Sequence, residues 1–373
     1  MAPPRAEVLI DLAAIRHNVE LLVASAPGAK TMAVVKADAY GHGMLDVART
    51  ALSAGAAWLG VCTLDEALEL REAGITAPVL SWLHAPDEDF GPAVAAGVDL
   101  SVSSCRALDA VLVAAGSAQR PARVHLKVDT GLSRGGAQPA AWLDLVEAAA
   151  KHEAKGAIEV VAVWSHLAHA DAPEHPVLDV QRDRFEAAHQ QAVGVGLRPL
   201  RHLANSAATV TRPDLHFDLV RPGIAVYGLS PVPPRGDFGL RPAMTFRSRA
   251  VLVKRVPAGE GVSYAHTWTT PVPSNLALVP VGYADGVPRL LSGRLQVLLG
   301  GRRRPVVGRV CMDQIVVDCG DDPVAEGDEV VLFGPGDRGE PTAQEWAEAL
   351  GTIHYEIVTG MVRPRVVRTV VAG

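Results

Sequence analysis

The fold of this chain is decided by the segment MAVVKADAYGHG, which occupies residues 32–43. Its first part, residues 32–35, is a short apolar run of the kind that forms a buried parallel strand. Lys36 follows that run directly, and a glycine-rich turn comes soon after it. A strand that ends in this way places an amine at the rim of a sheet or barrel, where α/β enzymes keep their reactive groups.

A lysine at such a rim points to covalent chemistry with a carbonyl compound. Burial lowers the pKa of a lysine side chain because desolvation disfavours the charged ammonium form. A neutral amine forms a Schiff base with a carbonyl cofactor such as pyridoxal phosphate. Because a lysine at a strand end is more often a plain surface residue, motifs further along the chain have to decide between the two interpretations.

Composition and charge are those of an ordinary soluble globular protein. Hydrophobic residues make up 49% and charged residues 20% of the 373 residues, and the net charge is −6. The arginines at 302–304 are interpreted as a turn, and we see no basic block of the nucleic-acid-binding type. No apolar run is long enough to span a bilayer, and no secretory signal is recognised. The cysteines show neither metal-ligand nor disulfide spacing, so we expect a reduced, cytoplasmic protein without nucleic-acid or membrane partners.

Eight short apolar runs alternate with helical patterns between about residues 30 and 230. The predicted strands span residues 32–35, 58–62, 79–83, 98–102, 124–128, 160–165, 200–203 and 219–227. A capping box of Thr63 and Glu66, with Gly74 as a stop signal, marks one of the intervening helices. Eight evenly spaced βα units predict a (β/α)₈ TIM barrel of the α/β class, and a doubly wound open sheet is the alternative.

The pattern changes after the proline- and glycine-rich stretch at residues 231–236, which is typical of a linker. Strands are predicted beyond it at residues 250–256, 276–281, 295–299 and 315–317, with one helix at 341–350. Thr342 and Glu345 form the capping box of that helix. We therefore expect a barrel over residues 11–235 and a mostly-β C-terminal domain over residues 236–373, which the strand at residues 7–10 joins.

Candidate functional residues follow the predicted barrel strands, where barrel enzymes place their active sites. In chain order they are Lys127, Arg134, His166, His169, Asp171, Asn205, Ser206, Arg221, Gly223 and Ile224. The hydroxyl of Ser206 and the backbone at Gly223 suit a phosphate, although Asn205 and Ser206 are equally typical of a plain helix N-cap. The loop spacing of the two histidines and the aspartate is weak for a metal site, so no metal is predicted.

Taken together, these motifs resemble the alanine racemase family, in which a barrel that binds pyridoxal phosphate is followed by a β domain. The resemblance runs from residue 34 to Tyr355 and follows the order of the family. It implies an enzyme that interconverts L-alanine and D-alanine through a pyridoxal phosphate aldimine by a two-base mechanism, and so supplies D-alanine for peptidoglycan. It also implies a cytoplasmic homodimer with shared active sites. One small departure is Ala265, where the family commonly has glycine.

The resemblance implies a role for each matching residue. Lys36 carries the cofactor and acts as one catalytic base, and Tyr264 of the partner subunit is the other. Cofactor contacts are implied for Tyr40, His166, Asn205, Ser206, Arg221, Gly223, Ile224 and Tyr355. Substrate contacts or support are implied for Arg134, Met312 and Asp313, carbamylation for Lys127, and an access corridor for Asp171, Tyr283, Arg289 and Arg309.

Physical reasoning agrees with a racemase. Racemisation removes a proton from one face of Cα and delivers another to the opposite face, which two flanking acid/base groups achieve. A tyrosine with an ordinary pKa of about 10 needs a neighbour that stabilises its phenolate, and Arg221 acting through His166 would supply one. An arginine at the pyridine nitrogen stays protonated, so the ring becomes a weaker electron sink and transamination is disfavoured.

Three other functions stay open at this stage. A racemase of another small amino acid would carry the same motifs, since a sequence does not measure a pocket. A decarboxylase of the same architecture would place an acidic residue, rather than Arg221, at the pyridine nitrogen, and a cysteine such as Cys311 as the acid. A protein that binds pyridoxal phosphate without turnover would consist of the barrel alone, whereas this chain continues into a β domain with Tyr264.

Overall fold

The computed structural model describes residues 4–371, which form two compact units. The barrel unit comprises residues 15–39 and 43–240. The β unit comprises residues 4–14, 40–42 and 241–371, and it contains the first strand, β1 (Ala6–Asp11). The β unit is therefore assembled from segments that are distant in sequence, whereas the barrel unit is nearly continuous.

The barrel unit is built on eight parallel strands. They are β2 (Lys30–Val34), β3 (Trp58–Val61), β4 (Val79–Ser81), β5 (Asp99–Val102), β6 (Ala122–Lys127), β7 (Ile158–Trp164), β8 (Leu200–His202) and β9 (Leu219–Val220). Their hydrogen-bonded order is β8-β7-β6-β5-β4-β3-β2-β9. A parallel bridge between Asn205 and Arg221, with a 2.9 Å bond from Arg221 N to Ala204 O, links the two outer strands. The sheet is thus nearly closed, and the predicted (β/α)₈ barrel is confirmed.

One helix precedes the first of these strands, and the others connect successive strands along the chain. They are Leu12–Ser25, Met44–Ser53, Leu64–Glu72, Gly91–Ala95, Cys105–Ala118, Pro139–Glu153, Val177–Gly194 and Ser206–Thr211. The capping box predicted at Thr63 is present, because its Oγ1 accepts from Glu66 N at 3.3 Å and Glu66 Oε2 accepts from Thr63 N at 3.2 Å. None of the helices in residues 4–371 is both long and apolar enough to cross a membrane.

The last barrel strand is much shorter than the predicted run of residues 219–227. β9 ends at Val220, and Ile224–Tyr227 forms a 3₁₀ helix. Pro222 lacks the N–H that a central strand donates, and Gly223 has φ −114° and ψ −87°, outside the β region. The prediction was wrong for this second half, because a buried apolar run in a strand and one in a short helix look alike in sequence.

The β unit is mostly strand, as predicted for the C-terminal domain. After β1 it contains β10 (Met244–Arg249), β11 (Leu252–Val256), β12 (Gly261–Val262), β13 (Trp268–Thr269), β14 (Ser274–Val279), β15 (Gln296–Leu299), β16 (Arg302–Val307), β17 (Ile315–Asp318), β18 (Glu329–Phe333) and β19 (Val367–Val371). Nine strands form one sheet in the order β11-β14-β17-β16-β15-β18-β10-β1-β19. Its helices are Ala343–Leu350 and His354–Thr359.

The three consecutive arginines, interpreted from the sequence as a turn, instead begin strand β16. Arg304 is buried, and its guanidinium donates to Leu299 O at 2.9 Å and to Cys319 O at 3.0 Å. Its two predecessors are exposed. The turn prediction was wrong because a strand tolerates arginines where its edges or neighbouring carbonyl groups satisfy their donors.

Candidate active site

Lys36 comes two residues after β2, at the C-terminal end of the barrel strands. The strand is buried after its first residue, and Val35 N donates to Gly60 O of β3 at 2.8 Å. The amine nitrogen Nζ of Lys36 lies 5.9 Å from the ring centroid of Trp82, which follows β4. Strand pairing therefore fixes the backbone that carries the lysine, and an aromatic ring borders its amine.

The residues after Lys36 form one turn of left-handed helix. Residues 37–40 have φ between 52° and 54°, a conformation that costs roughly 1–2 kcal/mol per residue for L-amino acids. Hydrogen bonds hold the turn, because Glu66 Oε1 accepts from Ala37 N at 2.6 Å and Asp38 Oδ1 accepts from a backbone N–H further on at 2.8 Å. Backbone strain that neighbouring groups enforce in this way is typical of functional sites.

Lys127 is the last residue of β6, at the same end of the barrel as Lys36. Its Nζ lies 4.2 Å from the ring centroid of Trp164, the last residue of β7. Burial, followed by the positive charges of Arg221 and Arg134, lowers the pKa of Lys127 to about 8. An amine with that pKa is partly neutral near physiological pH, and so it can act as a nucleophile.

The loop that carries Arg134 is folded back onto the end of β6. The Asp129 carboxylate accepts two backbone N–H groups of the loop at 2.9 and 3.1 Å and Gln138 Nε2 at 2.8 Å. Gly136 has φ +123°, and a Cβ there would lie 2.6 Å from Asp129 N. Only glycine fits at position 136, where the loop passes this close to the backbone at the end of β6. The loop therefore keeps a conformation that holds Arg134 near the positive charge of Lys127.

Arg221 follows β9 and is buried among neutral acceptors. Its Nη2 donates to Ser165 O at 2.8 Å and Leu203 O at 3.2 Å, and its Nη1 donates to His202 Nδ1 at 3.0 Å. His166 Nδ1 lies 3.4 Å from Nη2, as the proposed chain from Arg221 to His166 requires. No carboxylate of residues 4–371 pairs with this guanidinium, and burial lowers the pKa of Arg221 to about 9.

Ser206 and Gly223 meet where the barrel closes. Ser206 Oγ accepts from Gly223 N at 2.7 Å and from Ala225 N at 3.3 Å, at the start of the 3₁₀ helix that includes Ile224. The side chain of Asn205 instead caps its own helix by accepting a backbone N–H at 3.2 Å. The helix-cap interpretation therefore holds for Asn205. The side chain of Ser206 instead accepts hydrogen bonds from two backbone N–H groups that follow β9.

The loop after β7 places its polar residues in different surroundings. Burial, followed by the charge of Arg221, lowers the pKa of His166 well below its ordinary value. The exposed ring of His169 stacks on that of His175 with centroids 4.2 Å apart, and Asp171 is exposed. Across the part of the chain that the structure describes, no three His, Cys, Asp or Glu side chains are grouped to hold a metal ion.

Tyr264 lies in the β unit, on a tight turn between β12 and β13. It is 70% exposed. Ser263, Ala265 and His266 have φ of 63°, 60° and 42°, so the turn is strained on both sides of the tyrosine. The hydroxyl of Ser263 donates to Arg309 O at 2.9 Å and thereby ties the turn to the segment before Cys311. The phenol is presented to solvent from a tethered turn.

The other predicted residues of the β unit lie on its loops and short helices. Met312 is 52% exposed, and Asp313 pairs with Arg365 at 2.6 Å. Tyr283 and Arg289 each begin a 3₁₀ helix, Tyr283–Asp285 and Arg289–Leu291. The exposure of these side chains leaves them accessible to a ligand or to another chain.

Tyr40 and Tyr355 form an aromatic pair within the β unit. Their ring centroids lie 6.2 Å apart, and the ring of His354 lies 5.1 Å from that of Tyr355. Burial lowers the pKa of His354 to about 4, so this imidazole is neutral at physiological pH. The pair joins residues 40–42 to the helix His354–Thr359 within the β unit.

Sequence reasoning missed a set of buried polar residues inside the barrel. Asp99, His125 and His202 are fully buried, and hydrogen bonds connect them in this order to Arg221. The signal was present in β6, where polar residues occupy every second position from 123 to 127. Alternate residues of a strand share one face, so this pattern indicated a polar row in the barrel interior.

Barrel enzymes with a lysine at the mouth and a following β domain form one structural class, whose members racemise or decarboxylate amino acids. This chain has the architecture of that class. Residues 10–231 match the profile of the alanine racemase N-terminal domain, and residues 243–370 match that of the alanine racemase C-terminal domain. The chain belongs to the alanine racemase family, a family of isomerases.

Individual relatives agree over the whole length. The alanine racemase of Salinispora tropica is 61% identical over 366 residues, which cover 98% of this chain and 98% of that protein. The alanine racemase of Mycobacterium tuberculosis is 58% identical over 367 residues, covering 98% and 95%. A crystal structure of alanine racemase from D-cycloserine-producing Streptomyces lavendulae matches with a TM-score of 0.97 at 52% identity, covering 100% of this chain and 98% of that one.

Proposed function

We propose that this chain racemises alanine with pyridoxal phosphate bound at the mouth of the barrel. Members of the family use this cofactor. The observation that carries the proposal is Arg221, whose buried guanidinium has only neutral acceptors around it. A cation there suits the ring nitrogen of the cofactor and argues against the decarboxylases of the same architecture, which place a carboxylate at that position.

The residues at the mouth fit the cofactor group by group. Lys36 offers an amine for its carbonyl carbon. Ser206 Oγ accepts the N–H groups of Gly223 and Ala225, so the hydroxyl hydrogen of Ser206 would donate to a phosphate placed beside it. When bound, pyridoxal phosphate supplies the electron sink that acidifies the Cα–H bond of an attached amino acid. Tyr40 and Tyr355 are the further phosphate ligands that the family pattern proposes.

Two groups of this chain are proposed to move the proton at Cα. Lys36 works on one face, and Tyr264 of the partner subunit works on the other. The exposure of the Tyr264 phenol on a tethered turn fits a group that acts outside its own chain. His166 lies against Arg221 and is neutral, so it can accept a hydrogen bond and pass polarisation from that cation toward a phenolate.

The substrate is proposed to be a small amino acid, alanine in particular. Arg134 and Met312 are placed by the family pattern near the substrate carboxylate, with Asp313 in support. Tyr355 is held by its ring contacts with Tyr40 and His354, and a fixed phenol ring would limit the space for a larger side chain.

The active form is proposed to be a homodimer with two shared sites. The β unit exposes large apolar side chains that a solitary chain would leave in water, namely Tyr264, Leu290, Met312, Ile353 and Val362. Contact with a second copy of the chain would remove these side chains from water. Asp171, Tyr283, Arg289 and Arg309 are the proposed access corridor. The cytoplasm as its location and D-alanine supply for peptidoglycan are the remaining parts of the proposal.

A substrate survey tests the function directly. We expect the protein loaded with pyridoxal phosphate to racemise alanine from either enantiomer and to release no carbon dioxide. Chiral chromatography over all common amino acids, with carbon dioxide measured in parallel, gives the result. Faster racemisation of serine or another small amino acid would reassign the substrate, and carbon dioxide without racemisation would reassign the enzyme to the decarboxylases.

Lys127 is proposed to be carbamylated. Addition of carbon dioxide to its neutral amine would convert a cation into an anion able to pair with Arg134 through charge-assisted hydrogen bonds. The lowered pKa supports the reaction, because an amine that titrates near pH 8 is neutral in a substantial fraction of molecules. Without carbamylation, the folded protein holds a partly buried ammonium that two guanidinium groups repel, which is unfavourable.

This arrangement predicts a pH-dependent stability in buffer free of carbon dioxide. The pKa of Lys127 is about 8 when folded and 10.5 in the reference state, so between these values the unfolded chain binds more protons. The free energy of unfolding should therefore rise with pH from about 8 to 10.5, and Lys127→Met should remove that rise. Denaturant unfolding at several pH values measures it.

Bicarbonate provides the control for this prediction. Added bicarbonate should stabilise the wild type below pH 8 and leave Lys127→Met unchanged, and ¹³C-labelled bicarbonate should give a carbamate resonance in the wild type alone. Equal pH slopes for the two proteins, or no labelled carbamate in the wild type, would contradict the proposal.

A further inference from the structure

A row of buried polar side chains crosses the barrel interior and ends at Arg221, and its other three members, Asp99, His125 and His202, have no role in the proposed mechanism. Arg221 Nη1 lies 3.0 Å from His202 Nδ1, His202 Nε2 lies 2.9 Å from His125 Nδ1, and His125 Nε2 lies 3.1 Å from Asp99 Oδ2. Barrel interiors are usually filled by branched apolar side chains. Burying four polar side chains costs free energy unless each one has hydrogen-bond partners.

The donors and acceptors of this row allow only one arrangement of protons. Arg221 can only donate, so Nδ1 of His202 accepts and the proton of that ring is on Nε2. The Nε2–H donates to His125 Nδ1, which leaves the proton of His125 on Nε2, directed at the Asp99 carboxylate. A cationic His125 would force His202 to accept at both nitrogens, which neutral imidazole cannot do. Both histidines are therefore neutral.

The far end of the row is anchored by a second arginine. Arg123 Nε donates to Asp99 Oδ1 at 2.6 Å, and its Nη1 donates to Glu159 Oε2 at 2.6 Å. Burial alone would raise the pKa of Asp99, but hydrogen bonds from His125 and Arg123, together with the positive charge of Arg123, hold it below its usual value. Asp99 is thus a buried carboxylate that stays ionised, and it forms the end of the row next to His125.

Aromatic contacts hold the two imidazole rings in place. Trp164 stacks on His202 with centroids 5.5 Å apart and planes 12° from parallel, and the Trp58 ring meets His125 edge-on at 5.4 Å. Because ring orientation decides which nitrogen points to which neighbour, these contacts keep all hydrogen bonds aimed in one direction.

We propose that Asp99, His125 and His202 are positioning residues that orient the guanidinium of Arg221 and compensate its charge from a distance. This inference rests on the proposed function, in which Arg221 faces the cofactor nitrogen. A carboxylate in direct contact would neutralise the arginine and compete for its donors. Two neutral rings between Asp99 and Arg221 transmit polarisation and fix the geometry while leaving the remaining N–H groups free of a carboxylate.

The tautomers can be measured without reference to activity. Protein labelled with ¹⁵N-histidine, with pyridoxal phosphate and after its removal, should show both His125 and His202 neutral with the proton on Nε2. An imidazolium, or a proton on Nδ1 of either ring, would overturn the proposal. If the protein neither binds pyridoxal phosphate nor racemises alanine, the proposed function fails, and this spectrum still tests the row by itself.

The positioning role is tested with His125→Leu, which interrupts the row without touching the barrel mouth. We expect kcat to fall between about 10- and 100-fold with little change in KM, because misplacing a group at the reacting centre costs on this scale. The visible band of the bound cofactor and its pH titration should shift as well. A purely structural residue would lower only the melting temperature.

Thr31→Val is the matched control. Thr31 lies on β2 and is buried, and its hydroxyl has no hydrogen-bond partner among the described residues, so the variant changes a buried polar side chain of the barrel outside the row. It should leave both kcat and the spectrum unchanged. If His125→Leu does not fold, Asp99→Asn removes the charge with almost no change in volume and should give the same loss. Unchanged kcat and spectrum in the folded variant overturn the proposal.

Discussion

Replacing Lys36 with alanine is expected to lower alanine racemisation by at least about 10⁴-fold and to prevent covalent attachment of pyridoxal phosphate. The proposed function gives this amine two tasks, holding the cofactor and moving the proton on one face. Loss of a positioned acid/base group alone costs about 10²- to 10⁴-fold, and here the covalent link is lost with it. Chiral turnover measures the first effect, and borohydride reduction followed by peptide mass spectrometry measures the second.

Lys30→Ala is the matched control for that experiment. Lys30 begins the same strand, β2, and is exposed at its other end. The variant should keep the wild-type activity and the reduced adduct on the peptide that contains Lys36. An adduct found on Lys127 instead, or a Lys36→Ala protein that still racemises alanine, would show that the reactive amine has been misassigned.

Replacing Tyr264 with phenylalanine is expected to remove proton transfer on one face only. By the family pattern this phenol acts on the L-enantiomer, so exchange of the α-hydrogen of L-alanine with deuterated solvent should fall about 10²- to 10⁴-fold. Exchange from D-alanine, which depends on Lys36, should fall far less. Because the phenol is largely exposed, the free energy of unfolding should hardly change. Equal losses for both enantiomers would argue against two separate bases.

Mixing the two variants tests whether the site is shared between subunits. Homodimers of Lys36→Ala and of Tyr264→Phe are defective at both sites, whereas a mixed dimer has one site with both groups intact. Random mixing gives about half mixed dimers, so roughly a quarter of all sites should regain activity. Verified mixed dimers that remain inactive would place Lys36 and Tyr264 of one site on the same chain.

Local sequence patterns were sufficient for much of the barrel. The strands before Lys36 and Lys127 are short, apolar and followed by turn residues, so their ends and the side chains there were predictable. The capping boxes at Thr63 and Thr342 were predictable as well, because a helix N-cap depends only on residues within one turn. Recognition of the family rested on the same kind of short, ordered motifs.

Local patterns failed where a conformation or contact depends on distant residues. Residues 37–40 have no intrinsic preference for a left-handed turn, and the carboxylate of Glu66, far along the chain, helps to impose it. In the sequence alone the arginines at 302–304 are typical of a turn. Only the structure shows the carbonyl groups that accept hydrogen bonds from Arg304. The shortened strand β9 likewise became clear only from the geometry at Gly223.

The sequence by itself determined the class of fold, the family and the amine at the barrel mouth, because each depends on residues that are neighbours along the chain. Only the tertiary structure decided that Arg221 has neutral acceptors and that Asp99, His125 and His202 stand in one hydrogen-bonded row behind it. These residues come from four different strands or strand ends. Closure of the barrel brings each of them within 3.1 Å of the next, and these mutual hydrogen bonds satisfy the two buried imidazole rings.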